Sequence, residues 1–241
     1  DYGHFLLCPQ SGRRLLQSGQ RASVYRAEDT ILRPHYFRTF LGRYRTTIEF
    51  TPTERCALIR MDFPEGEPAR LIVDLFDGEC EFDLDVERGT LSGFTKANSG
   101  GVTENYALYF YVEVDTAVEG GGFFKGDETW EGVERRAGDG LGAFLECAAP
   151  TCPIVARIAT SFISVEQAQC NLHREVGSRG FDEMLGEAGD VWNGVLNRIH
   201  IEEATQLQCE TFYSCLYRAH LFPRVWYEYD KAGNPHHFSP Y

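Results

Sequence analysis

The chain has 241 residues, of which 43% are hydrophobic, 13% aromatic and 24% charged, and its formal net charge is −13. That length and apolar content allow one large β domain or a medium domain with additions. The negative charge repels nucleic acid and anionic membrane surfaces, and no apolar run approaches the roughly 18 residues of a membrane helix, so neither a nucleic-acid partner nor a membrane span is expected.

The chain opens on Asp1, Tyr2 and Gly3 with no basic-then-apolar leader, so a signal peptide is expected to be absent or to lie outside this sequence. Residues up to 163 read as β. Ala57, Ile59, Met61 and Phe63 alternate with polar residues, and Arg70–Phe76 is apolar enough for a central strand. Cys80–Val86 keeps a strict period of two, with Cys80, Phe82, Leu84 and Val86 on one side and Glu81, Asp83 and Asp85 on the other. Tyr106–Asp115 repeats the pattern through Leu108, Phe110, Val112 and Val114. Glycine-rich punctuation between these runs points to an antiparallel sandwich. The triplet Gly120, Gly121 and Gly122 is expected to be a flexible loop, since no P-loop lysine and no helix follow it.

After Phe162 the period changes to 3.6. Ser164 and Gln167 form a capping box, and Val165, Ala168, Leu172 and Val176 an apolar stripe. A second helix opens with Asp182 and Glu183, and its stripe Phe181, Leu185, Ala188, Trp192, Val195, Leu196 and Ile199 holds phase for about five turns. Thr205 and Gln208 cap a third helix carrying Leu207, Cys215, Leu216, Ala219 and Phe222, which Pro223 ends. Val225–Tyr229, a turn at Asp230–Gly233 and Pro235–Phe238 read as a short hairpin.

The eight cysteines contain no C-x-x-C pair and read chiefly as buried free thiols, with one or two disulfides as the alternative. Glu81, Asp83 and Asp85 share a strand face with a splay of about 7 Å, too wide for a compact calcium cage, and read as a solvated acidic face. His236 and His237 project to opposite sides of an extended segment and cannot chelate one ion together; one of them lining a cleft competes with a plain surface hairpin. Trp130 reads as a plug at the core edge rather than a sugar platform, and Tyr213 with Tyr217 as helix packing. No nucleophile–base arrangement stands out.

The succession of segments carries more. Ile158–Leu172, then Phe181–Glu183 followed by Trp192 and Leu196–Ile199, resembles the sandwich-to-linker junction of glycoside hydrolase family 92, the calcium-dependent exo-acting α-mannosidases. Thr211–Arg218, Phe222–Arg224 and His237–Tyr241 are similar to the block that opens the family's catalytic domain. Asp1–Pro9 looks like its strand after a Gly-Thr-Gly turn, and Arg33–Phe37 like its Pro-Gly-Tyr-Tyr strand. Arg218 stands where the family often has His, and Phe238 where it often has Tyr.

The resemblance implies a mainly β chain: an N-terminal antiparallel β-sandwich lacking its start (1–163), a helical linker (164–203) and the first helix of a truncated (α/α)₆ catalytic barrel (204–241). It implies an inverting hydrolase acting on α-mannose-terminated glycans, secreted or periplasmic, with calcium and the catalytic carboxyls on the missing part of the barrel. No catalytic or metal-binding residue is then expected in this chain, and the chain alone is expected to be inactive. His237, Ser239 and Tyr241 are expected to line the substrate cleft. The alternatives are a non-catalytic carbohydrate-binding or interaction sandwich, and another sandwich-plus-(α/α)₆ enzyme such as a disaccharide phosphorylase.

Overall fold

The computed structural model describes residues 4–98, 100, 102–221 and 225–237. Its strands are β1 (Phe5–Ser11), β2 (Ile31–Arg33), β3 (Tyr36–Leu41), β4 (Thr46–Pro52), β5 (Cys56–Asp62), β6 (Ala69–Leu75), β7 (Glu79–Asp85), β8 (Thr90–Thr95), β9 (Leu108–Val114), β10 (Val118–Lys125), β11 (Glu128–Glu131), β12 (Arg135–Asp139), β13 (Gly142–Cys147) and β14 (Ile154–Ser161). Helices α1 (Val165–Glu175), α2 (Phe181–Leu196) and α3 (Gln206–Leu221) follow, and then the hairpin of β15 (Tyr227–Tyr229) and β16 (Pro235–His237).

Among the described residues the strands form two antiparallel layers. One has five strands in the order β1-β6-β13-β10-β11, and the other nine in the order β12-β7-β8-β9-β14-β5-β4-β3-β2. The period-two segments supply the filling between them: Phe82, Leu84, Leu91, Phe110 and Val112 from the wide sheet meet Leu71, Val73, Phe123 and Leu145 from the narrow one. Phe82 stands edge-on to Phe110 at 5.6 Å between ring centres and stacks on Phe123 at 5.8 Å. Such ring pairs add about 0.5–1.5 kcal/mol each beyond the area they bury.

The glycine triplet is not a loop. Gly120–Gly122 lie inside β10, between β11 and β13. A Cβ on Gly121 would sit 2.6 Å from the Phe144 carbonyl oxygen, and one on Gly122 2.4 Å from that of Trp130. Gly121 and Gly122 are small because the neighbouring strands come close, which composition alone reads as flexibility, whereas a Cβ on Gly120 would meet nothing within 4 Å.

Both sandwich-proximal helices lie on the outer face of the wide sheet. Ala168, Leu172 and Val176 of the first helical stripe, with Phe181 and Met184 of α2, close over Cys56, Leu58 and Ala159. Ser164 caps α1 by accepting from the Gln167 N–H at 3.1 Å. The Gln167 side chain does not return the bond; it donates to Asn171 Oδ1 and to the Tyr229 carbonyl. On α3 the box is reciprocal, with Gln208 N–H donating to Thr205 Oγ1 and Thr205 N–H donating to Gln208 Oε1 at 2.9 Å. The α2 stripe ends sooner than its periodicity suggests: the helix stops at Leu196, and Ile199 lies beyond it, exposed.

All eight cysteines are free thiols; Cys56, Cys80, Cys147 and Cys170 are buried, and Cys152 and Cys215 exposed. Burial pushes the Cys147 thiol up to about 11, so it stays protonated and serves as a small apolar group.

Candidate functional site

The hairpin is held on the sandwich through its first strand, where three consecutive residues are each gripped. The Tyr227 carbonyl accepts from Arg55 Nη2 at 2.5 Å. Arg55 is itself fixed by Glu175 of α1, whose carboxylate also accepts from the Arg55 N–H at 2.8 Å and from the Thr53 hydroxyl. The Tyr229 carbonyl accepts from Gln167 Nε2 at 2.7 Å and from the Cys170 thiol, while the Arg174 guanidinium lies 4.1 Å over the Tyr229 ring.

Between the two tyrosines, Glu228 turns inward and is only 3% exposed. Its Oε1 accepts from the Phe162 N–H at 2.8 Å and its Oε2 from Asn171 Nδ2 at 2.7 Å. Asn171, itself buried, also donates to the Thr160 carbonyl at 2.9 Å. Each carboxylate oxygen thus meets an amide N–H, a donor that keeps its proton. This geometry fixes a chain direction at the sheet-to-helix junction; it does not relay protons.

An aromatic row runs along the same end of the molecule. The His4 and Tyr106 rings are 5.9 Å apart, Tyr106 and Phe162 6.0 Å, and Phe162 and Trp226 6.4 Å. His4 Nδ1 lies 3.0 Å from the Ala97 carbonyl, and the Tyr106 hydroxyl lies 3.2 Å from both ring nitrogens of His4. Burial raises the pKa of that phenol. The row brings His4 ahead of β1, Tyr106 ahead of β9, Phe162 after β14 and Trp226 ahead of the hairpin to one surface.

His237 is on the exposed face of β16, its ring 5.9 Å from that of Tyr227, and His236 points the other way to Asp230 at 3.1 Å. Ser239 and Tyr241 lie outside the described residues. Asp230 is held down to about 2, first by the Asn234 N–H and then by the His236 ring. Glu228 and Asn171 escaped the sequence reading. The available signal was a pair of amides, Gln167 and Asn171, four apart on an otherwise apolar helix face.

The other candidates are accounted for by packing. Trp130 packs against the core edge, with the Arg136 guanidinium 3.3 Å above its ring. Tyr217 stands edge-on to Trp192 at 5.0 Å, and Tyr213 donates to the Ile199 carbonyl. Glu81 is paired with Arg135, and among the described residues no group of three His, Cys, Asp or Glu side chains converges to hold an ion.

Two family models match the chain: the glycosyl hydrolase family 92 N-terminal domain over residues 1–161, and the glycosyl hydrolase family 92 catalytic domain over residues 167–241. Among solved structures, a family GH92 inverting mannosidase from Bacteroides thetaiotaomicron is 33% identical, with a TM-score of 0.94 over 98% of this chain and 32% of its own. A family GH92 α-mannosidase of the same organism, in complex with mannoimidazole, is 20% identical at a TM-score of 0.85, covering 99% of this chain and 34% of its own. The family GH92 glycosyl hydrolase ccman5 is 22% identical at 0.84, covering 98% and 35%. The last two show the fold alone. No curated protein matches the chain. The chain spans about a third of the length of the structures it matches. With both family models matched in order, one covering most of the sandwich and the other the helices and hairpin, the chain belongs to glycoside hydrolase family 92.

Proposed function

We propose that this chain is the sandwich, linker helices and first barrel helix of a longer inverting glycoside hydrolase that releases terminal α-mannose from glycans. The observation that carries this reading is the 33% identity to an inverting mannosidase, sustained over 98% of the chain. Inversion uses one carboxylic acid to protonate the leaving oxygen and a carboxylate to activate water, the two about 6.5–9.5 Å apart. At the junction, Glu175, Glu228 and Asp230 are each engaged by N–H or O–H donors within this chain. We therefore assign the reacting carboxyls, and the calcium that family resemblance implies, to the remainder of the protein. Export to the periplasm or cell exterior rests on the same resemblance.

In this reading the chain positions. Glu228, Asn171, Gln167 and Arg55 fix the hairpin that leads toward Ser239 and Tyr241, and His237 stands exposed at its end, available to a cleft. Apolar side chains left exposed on α2, α3 and the hairpin's approach (Val191 at 65%, Leu207 at 72%, Trp226 at 47%) support a barrel that continues over them. The test is release of mannose from an aryl α-mannoside. The longer protein is expected to release it in a chelator-sensitive way and residues 1–241 not at all. Release by this chain alone, or none by the longer protein, would overturn the reading.

A further inference from the structure

Helix α2 is docked along half its length. Phe181 and Met184 are buried at its start, where the Arg60 guanidinium lies 4.3 Å over the Phe181 ring and its Nη1 2.9 Å from Asp182. Ala188 and Gly189 are the last buried residues of the helix, and from Asp190 to Leu196 every residue is exposed or half-buried. At the border between the two halves stands one ring. The three atoms nearest to a Cβ built on Gly189 all belong to His35, with Nε2 at 3.4 Å. His35 is half-buried in the β2–β3 turn behind Pro34, which fixes the local backbone, and its carbonyl accepts from the Thr51 hydroxyl at 3.0 Å. A braced turn thus presents the imidazole to α2.

The surroundings suit a neutral ring and not a charged one. On its own hairpin His35 is flanked by Arg33 and, beyond Tyr36, by Arg38. Glu49 of β4 stands opposite Arg38, but its carboxylate is taken by Arg60 Nε at 2.6 Å and by the Tyr36 hydroxyl at 2.5 Å. On α2, the acid in line with Gly189 is Asp182, about 10.5 Å back along the helix axis, and it is paired with Arg60 of β5. Glu183, Glu187 and Asp190 lie about 100–160° round the helix from Gly189. None of these acids is placed to pair with an imidazolium at His35.

We propose that the contact of His35 with Gly189 is a pH-sensitive hinge: the neutral ring holds α2 against the β2–β3 turn, and protonation releases the helix beyond Gly189 while its first turns stay docked. Burial, and then the Arg33 charge, hold the His35 pKa below its ordinary 6.5. Folding therefore favours the neutral ring. The stabilisation from this contact is complete above about pH 6.5 and is lost as pH falls through the lower, folded value. Histidine suits such a device because its charge changes between about pH 5 and 8. The released half carries α3 with it, since Trp192 stands edge-on to Tyr217 at 5.0 Å. Acidity thus changes the angle at which the later helices meet the sandwich.

The test is hydrogen exchange read by mass spectrometry on the full-length protein between about pH 5 and 8, with amide rates corrected for their intrinsic pH dependence. Exchange of the imidazole C2 hydrogen reports the His35 titration, with an expected midpoint below 6.5. Peptides covering Val191 to Leu196 are expected to lose protection as His35 protonates, and those covering α1 to keep it. His35→Gln is expected to abolish that loss. Two glycine variants separate the contact from helix propensity. Gly189→Ala puts a methyl group against the ring and is expected to lower the midpoint further, whereas Gly186→Ala, whose added carbon meets nothing within 4 Å, leaves it unchanged. A midpoint at or above 6.5, the same loss of protection in His35→Gln, or equal midpoints in the two glycine variants would overturn the inference. If His35→Gln does not fold, the wild-type midpoint and the glycine pair decide by themselves. None of these readouts involves mannoside hydrolysis, so the hinge and the proposed reaction stand or fall separately.

Discussion

Glu228 is the residue on which the junction turns. A carboxylate buried to 3% exposure is costly unless its oxygens are satisfied, and here an amide of the sheet exit and an amide of α1 supply the donors. Glu228→Ala leaves the Phe162 N–H and one Asn171 N–H without that acceptor, and is expected to cost about 2–3 kcal/mol in docking the hairpin. Glu228→Gln keeps one acceptor oxygen and should lose less. Amide exchange across Tyr227–His237 reads the effect: faster in Ala than in Gln, with the β14 amides unchanged. Equal exchange in wild type and Glu228→Ala would show that the carboxylate holds nothing. Sequence pattern could not reveal this role. Tyr227, Glu228 and Tyr229 alternate like any half-exposed strand, and the burial comes from α1, more than fifty positions earlier in the chain. His237, by contrast, was placed by simple alternation, since neighbours in an extended segment face opposite ways and His236 does turn to Asp230.

At the scale of elements, local rules succeeded wherever the controlling interactions were local. The capping serine of α1, the reciprocal box of α3 and the hairpin turn all involve residues within four positions of one another. They failed where a distant strand decides. The triplet Gly120–Gly122 reads as a loop, but Phe144 crowds Gly121 and Trp130 crowds Gly122. The stripe of α2 is buried at Phe181 and Ala188, half-buried at Leu185, Trp192, Val195 and Leu196, and exposed at Ile199, beyond the helix end. The hairpin turn carries a pH dependence of definite sign. Asp230, ordinarily 3.8, is lowered to about 2 by the Asn234 N–H and His236, so its folded form stays ionised where an unfolded chain is already protonated. The turn's stabilisation is therefore complete above about pH 4 and is lost as pH falls toward about 2. The Asn234 amide resonance is expected to titrate with a midpoint near the lower value; a midpoint at the ordinary carboxylate value would mean that the turn is not formed.

At the scale of the whole molecule, the chain is two layers of sheet with helices on one outer face and apolar surface left over at two places. One is the outward face of α2, α3 and Trp226, the other the overhanging inner face at Leu32. Exposed apolar area of this kind is suited to packing against further structure. The period-two strands and the switch to period 3.6 made this architecture legible. Chemistry was not legible in residue types and spacing, and the proposed reaction was reached through resemblance and structural likeness. The account's central claim concerns that reaction, and it is tested most directly by proton NMR of the first mannose released from an α-mannoside by the longer protein. Inversion requires β-mannose to appear first and α-mannose only later by mutarotation. Initial formation of the α-anomer, or no mannose at all, would contradict the account.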